Sequence, residues 1–126
     1  MVLDAGVLFL HFAGHEGVRK YFEQIITGKC KGLISAFSLA EFYYKTCQKL
    51  GKQTAYTWYF QLRNSELIMV YKEELIRAAA LEKCKHAHKL SLADFSVLAL
   101  AKAEKALLIT KDREPAKVGD VKTKHI

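Results

Sequence analysis

The chain has 126 residues, of which 51% are hydrophobic, enough for a buried core that needs neither disulfides nor a structural metal. It carries 20 Lys and Arg against 13 Asp and Glu, and the formal net charge of +7 favours polyanionic partners such as nucleic acid. Three cysteines, an odd number with no close pair, exclude a disulfide framework and a zinc knuckle.

Apolar runs alternate with segments of helical spacing along the chain. The first run predicts a short buried strand from Val2 that ends near Gly6. The later predicted elements are a helix over 16–27, a strand over 31–35, helices over 38–50 and 54–63, a strand over 67–71, helices over 73–88 and 91–105, a strand over 106–110 and a weak strand near Val121. Strands separated by helices predict one α/β domain over residues 1–126, with a parallel sheet and helices on both faces.

Four acidic residues are expected at one edge of this sheet. Asp4 follows the start of the first strand and Asp112 the end of the fourth, and open α/β sheets bind ligands at the carboxyl ends of their strands. Glu41 falls in the predicted first turn of the helix after the second strand. Asp94 falls in the first turn of a predicted helix that ends where the fourth strand starts. That turn therefore lies about 16 Å from the amino edge of the sheet, at the carboxyl edge. The sequence therefore predicts that the four acids converge.

Four carboxylates in one pocket raise each other's pKa unless a cation neutralises them. Carboxylate oxygens suit hard divalent ions such as Mg²⁺ and Mn²⁺, which activate water and stabilise charge on a phosphodiester. The rest of the surface is strongly basic, which suits contact with a nucleic-acid backbone. This combination predicts a metal-dependent nuclease.

Each acid also has a purely structural interpretation. Glu41 and Asp94 both stand three residues after a serine, the capping-box pattern in which the acid only satisfies a helix N-terminus. Asp112 can be a turn residue after a strand. Asp4 is harder to explain in this way, because a buried carboxylate needs a partner or a metal. Their joint placement, more than any single acid, favours a functional site.

Four stretches carry these acids and their neighbours: Val2 to Ala5, Ser35 to Glu41, Leu92 to Ala101 and Leu108 to Asp112. In this order and at roughly this spacing they resemble the motifs of the PIN-domain family, in particular its small toxin ribonucleases of the VapC type. The resemblance covers nearly the whole chain. The family often has Ser, Thr or Asn at the position of Ala5.

This resemblance implies a three-layer α/β/α sandwich with a central parallel sheet of four to five strands. It implies a Mg²⁺- or Mn²⁺-dependent endoribonuclease, the toxin of a toxin–antitoxin pair, with RNA as substrate and an antitoxin protein and a second copy as partners. Asp4, Glu41 and Asp94 would be the main metal ligands. Asp112 would complete the site, and Thr110 matches a hydroxyl residue that hydrogen-bonds within the acidic cluster.

Several other residues bear on RNA binding, on metal binding and on the location of the protein. Lys83, Lys85 and Lys89 form a basic run that can contact an RNA backbone, or simply complement the dipole of the helix that they end. The histidine pairs at 11 and 15 and at 86 and 88 are interpreted as surface residues, and the aromatics of the two middle helices as core and protein interface. The chain shows no signal peptide and no apolar stretch long enough for a bilayer, so we expect a cytoplasmic protein.

Other function classes remain open at the level of sequence. A PIN-like nuclease that processes RNA, or a non-catalytic RNA- or protein-binding module, would share the fold, and metal binding separates the module from an enzyme. A phosphatase of the Asp-x-Asp type would need an acid where Gly6 stands. A receiver domain would need an Asp at the end of the third strand, which ends at Tyr71 without one.

Overall fold

The computed structural model describes residues 1–87, 90–112 and 120–126. Within these ranges a five-stranded parallel sheet has the order β3-β2-β1-β4-β5. The strands are β1 (Val2–Leu3), β2 (Leu33–Ser35), β3 (Ile68–Val70), β4 (Leu108–Thr110) and β5 (Thr123–His125). The helices are α1 (Ala5–Phe12), α2 (Arg19–Ile26), α3 (Ala36–Leu50), α4 (Lys52–Arg63), α5 (Glu73–Lys85) and α6 (Leu92–Glu104), with a 3₁₀ turn at Glu16–Val18.

One apolar core lies on each face of the sheet, because successive strand residues point to opposite sides. Leu3, Ile34 and Ile109 pack on the face covered by α1 to α4. Their neighbours Val2 and Leu33, with Leu108, pack on the face covered by α5 and α6. The predicted three-layer α/β/α arrangement with a parallel sheet is therefore confirmed.

The first predicted strand is wrong beyond Leu3, because β1 ends there and α1 begins at Ala5. Asp4 is the N-cap of α1, and its Oδ1 accepts the Val7 N–H at 2.9 Å. The sequence of α1 is apolar on nearly every side, so it has no polar face to distinguish a helix from a buried strand. The remaining predicted elements are present with shifted bounds, and the helix expected to reach residue 88 ends at Lys85.

The aromatic residues of α3 and α4 divide between the core and the surface. Trp58 packs edge-on to Phe9 and stacks on Phe12. Tyr44, Tyr56 and Phe60 are exposed. The aromatics that pack inward agree with the core part of the interpretation, and the protein interface stays a prediction for the exposed ones.

His11 is a correction to the expected surface histidines. Its ring is half-buried and stacks on Phe22 with centroids 3.7 Å apart, and burial lowers the pKa of the imidazole. His15, by contrast, is exposed and accepts the Gly17 N–H at its Nδ1. His88 lies outside the described residues. Across the described ranges, no helix is long and apolar enough to cross a membrane.

Candidate active site

Asp4 lies at the junction of the central strand β1 and helix α1, and it is only 5% exposed. Its Oδ1 accepts the Val7 N–H, and its Oδ2 accepts the hydroxyl of Thr110. The pKa of this carboxyl is raised to about 6, mainly by burial and also by the charges of Asp112 and Asp94, against the lowering effect of the two hydrogen bonds. At neutral pH Asp4 is thus a buried anion that a bound cation would stabilise.

Thr110 joins two of the predicted acids across the end of β4. This residue is fully buried, and its hydroxyl donates to Asp4. The same oxygen accepts the backbone N–H of Asp112 at 3.0 Å. Asp112 itself is exposed, directly after the strand. The link holds Asp4 in one orientation and fixes the point where the chain leaves the sheet.

Glu41 does not cap its helix, so the structural interpretation offered for it is wrong. The N-cap of α3 is Ser35, whose side chain accepts the Ser38 N–H at 3.1 Å. Glu41 is therefore in the second turn, not in the first as expected. Its Oε1 lies 2.9 Å from the ammonium of Lys45. The hydrogen bond to Glu41 raises the pKa of Lys45.

Asp94 does cap its helix, as the sequence pattern predicts. Its Oδ2 accepts the Ser91 N–H at 3.2 Å, and its own N–H donates to the Ser91 hydroxyl at 3.1 Å. Burial raises the pKa of the Asp94 carboxyl, and the charges of Asp112 and Glu41 add to this rise. Capping and a role in the site are compatible, because the Asp94 that caps the helix also lines the same cavity as the other acids.

The structure brings all four predicted acids to one cavity of about 220 Å³. The carboxylates come from the end of β1, from α3, from the start of α6 and from the segment after β4. Three lysines also line this cavity, namely Lys45, Lys49 and Lys111. These lysines were not predicted as site residues, although two of them follow Glu41 at helical spacing.

The donor set fits a hard divalent ion, but the side chains are not yet arranged around one. Within residues 1–87, 90–112 and 120–126, no three histidine, cysteine or carboxylate side chains are grouped closely enough to enclose a metal. Local partners explain this: Oε1 of Glu41 faces Lys45, and Oδ2 of Asp94 faces the start of its own helix. Four carboxylates, which are hard oxygen donors, nevertheless line one cavity, and the pKa values of Asp4 and Asp94 are raised by burial and by neighbouring negative charge. A bound Mg²⁺ or Mn²⁺ would relieve this accumulation of charge.

The basic run predicted to contact RNA has a partly structural role. The Lys83 ammonium donates to the carbonyl oxygens of Ala87 and Leu90, at 2.6 and 2.9 Å, and so fastens the end of α5. Lys85 is exposed, and Lys89 lies outside the described residues. RNA contact by this run stays a prediction.

A family model described as the PIN domain matches residues 1–121 of the sequence. The chain belongs to the PIN-domain family. PIN domains are in general nucleases that depend on divalent metals. A comparison with curated proteins finds no similar sequence.

Solved structures share the fold of this PIN domain at low sequence identity. VapBC2 from Rickettsia felis, bound to a DNA fragment from its promoter, is 17% identical with a TM-score of 0.74, over 99% of this chain and 97% of that chain. VapC20 from Mycobacterium tuberculosis, a sarcin-ricin loop cleaving toxin, is 14% identical with a TM-score of 0.71, over 94% of each chain. FitAcB from Neisseria gonorrhoeae is 17% identical with a TM-score of 0.65, over 97% of this chain and 94% of that chain.

Proposed function

We propose that this PIN domain is a metal-dependent endoribonuclease whose Asp4, Glu41, Asp94 and Asp112 hold Mg²⁺ or Mn²⁺. The observation that carries the proposal is the cavity in which these four carboxylates meet, one of them a buried anion. When bound, the metal supplies an activated water and neutralises the charge that develops on the phosphodiester. A carboxylate cluster of this kind has no use in a binding module that takes no metal.

The protein's own groups orient the site and attract the substrate. Thr110 and the Val7 N–H fix both oxygens of Asp4, so that this ligand needs no reorganisation when the metal arrives. Lys45, Lys49 and Lys111 surround the acids with positive charge, which favours the RNA backbone over neutral ligands.

We further propose a toxin role, with an antitoxin protein and a second copy of the chain as partners. Support comes from the neighbours that share the fold, among them a toxin–antitoxin complex from Klebsiella pneumoniae, 17% identical with a TM-score of 0.64. Co-expression with the product of the adjacent gene tests the partner: relief of growth inhibition and co-purification are the expected results.

Cleavage of a mixed RNA pool tests the enzyme. Pure wild-type protein and Asp94→Asn are incubated with Mg²⁺, with Mn²⁺ or with EDTA, and the products are resolved on a denaturing gel. We expect cutting by wild type with metal only, and none by the variant, because Asn keeps the cap of α6 but lacks the charge that a metal ligand needs. Folded wild type that neither cuts RNA nor binds Mn²⁺ in calorimetry would instead indicate the binding module.

Removing the Thr110 hydroxyl should weaken catalysis without removing a ligand. Thr110→Val deletes the hydrogen bond that lowers the pKa of Asp4, so that pKa rises and the acidic limb of the kcat/KM profile moves to higher pH. Loss of an orienting partner of a metal ligand costs roughly 10–100-fold in activity.

The control for this prediction is Thr46→Val. The buried Thr46 hydroxyl has no hydrogen-bond partner among the described residues, so the same change there should leave activity and its pH profile as in wild type. A Thr110→Val enzyme with the wild-type pH profile would contradict the positioning role of Thr110.

A further inference from the structure

One face of α3 carries an acid followed by two bases. Glu41, Lys45 and Lys49 stand four residues apart, the spacing that stacks side chains one above the other on a helix. All three line the cavity of the four acids. The Lys49 ammonium lies 4.8 Å from the ring centroid of Phe9 on α1. These three charged residues therefore form a row from the acidic site along the groove between α1 and α3.

Glu41 forms an ion pair with Lys45, and under the proposed function it also binds the metal. Its Oε1 is 2.9 Å from the Lys45 ammonium, whereas Mg²⁺ requires ligand oxygens at about 2.0–2.1 Å in a strict geometry. A metal that shared Oε1 with Lys45 would also face an unscreened like charge at close range. Even at Oε2 the metal would lie close to the ammonium of Lys45, so binding of the metal to Glu41 favours opening of the ion pair.

The lysine is the partner free to move. The Lys45 side chain is 52% exposed, but that of Glu41 only 19%. A lysine stem has four rotatable bonds, and an ion pair between residues four apart on a helix, with an exposed lysine, is held by little free energy. Opening the pair thus costs little, and the ammonium can turn along the helix face toward Lys49.

We propose that Lys45 is an exchangeable counter-ion of Glu41, which neutralises the acid without metal and binds phosphates of the RNA strand, next to Lys49, once metal is bound. The inference rests on the proposed function and deepens it, because it names the path of the substrate backbone between α1 and α3. Metal loading and RNA binding are then coupled, since each favours the open pair.

Mn²⁺ calorimetry without RNA tests the first half of the exchange. Lys45→Met keeps the length of the side chain and removes its charge, and Lys49→Met makes the same change one turn further along. We expect Lys45→Met to bind Mn²⁺ about three- to tenfold more tightly than wild type, because no ion pair opposes the metal. For Lys49→Met we expect a change of less than about twofold, because its charge is further away and screened.

RNA binding tests the second part of the exchange, in which Lys45 contacts RNA phosphates once metal is bound. A short fluorescent single-stranded RNA, first shown to stay intact during the measurement, is titrated in anisotropy experiments at constant ionic strength. The loss of affinity in Lys45→Met should be at least about threefold larger in Mn²⁺ than in EDTA, because only then is Lys45 released. The loss in Lys49→Met should be the same in both conditions.

The two proposals fail in different ways. A wild-type protein that does not bind Mn²⁺ contradicts both the proposed function and the exchange. Normal Mn²⁺ binding, with Lys45→Met equal to wild type in metal affinity, contradicts the exchange alone. So does an RNA defect of Lys45→Met that is the same with Mn²⁺ and with EDTA.

Discussion

Replacing Asp4 with Asn is expected to remove RNA cleavage and to stabilise the metal-free protein at neutral pH. Asn fills the same space and can still accept the Val7 N–H, but it carries no charge into a buried position. Changes to the partners of a metal ligand already cost 10–100-fold, so loss of the ligand itself should cost at least about a hundredfold. Activity and stability thus move in opposite directions.

The pH dependence follows from the pKa of Asp4, which rises from 3.8 to about 6 on folding. Between these values the folded protein keeps a proton that the unfolded chain has lost, so the free energy of unfolding falls as pH rises through this window. Above about pH 6 the penalty is complete, roughly 1–3 kcal/mol for a shift of this size. Asp4→Asn does not incur this penalty, because its side chain has no proton to lose.

Urea denaturation in EDTA from pH 4 to 8 measures the effect. The stability of Asp4→Asn minus that of wild type should grow as pH rises from 4 to about 6 and then stay constant. Taking the difference separates Asp4 from Asp94, whose pKa is also raised. Mg²⁺ should stabilise wild type but not the variant. A variant less stable than wild type at pH 7.5 in EDTA would show that the buried charge is already compensated by the protein.

Phe42→Ala should cost about 3–5 kcal/mol of stability, the usual cost of deleting a buried aromatic ring. Phe42 follows Glu41 on α3 and is 1% exposed, with its ring centroid 5.6 Å from that of Phe12. It also forms part of the wall of the acidic cavity. For a domain whose total stability is about 5–15 kcal/mol, a loss of this size is severe.

Chemical denaturation measures the free energy of unfolding of Phe42→Ala and of a control variant, Tyr44→Ala. Tyr44 is on the same helix and 50% exposed, so its truncation should cost less than about 1 kcal/mol. Equal losses for the two variants would mean that the aromatic packing between α1 and α3 does not hold the groove together.

The arrangement of the four acids could be predicted from the sequence, because it depends only on the direction of the strands. Apolar runs separated by helices require a parallel sheet, and the carboxyl ends of its strands then meet at one edge. Asp4, Asp94 and Asp112 could be placed at that edge without side-chain detail. The sequence could not show which of Glu41 and Asp94 caps its helix, because both stand three residues after a serine. Only the structure shows that Ser35 begins α3 and leaves Glu41 one turn inside it.

Features that depend on tertiary packing were not predictable. The sequence predicts the start of α1 as a continuation of β1, because a short helix buried on most sides has the same apolar sequence as a buried strand. The lysines of the cavity were missed for a different reason: their helical spacing shows a shared face, but not what that face is turned toward. For Lys83 the sequence suggests a charge that is free to contact RNA, whereas in the structure its ammonium donates to two backbone carbonyls.

The hydrogen bond between Thr110 and Asp4 joins residues that are 106 positions apart. β1 is made first during synthesis but lies between β2 and β4 in the sheet, so its acid is held in place only after β4 has docked beside it. A chain still emerging from the ribosome therefore has the acid of β1 but not its final orientation. Under the proposed ribonuclease function this order would be protective, because the acidic site would be completed only after most of the chain has left the ribosome, which is itself made largely of RNA.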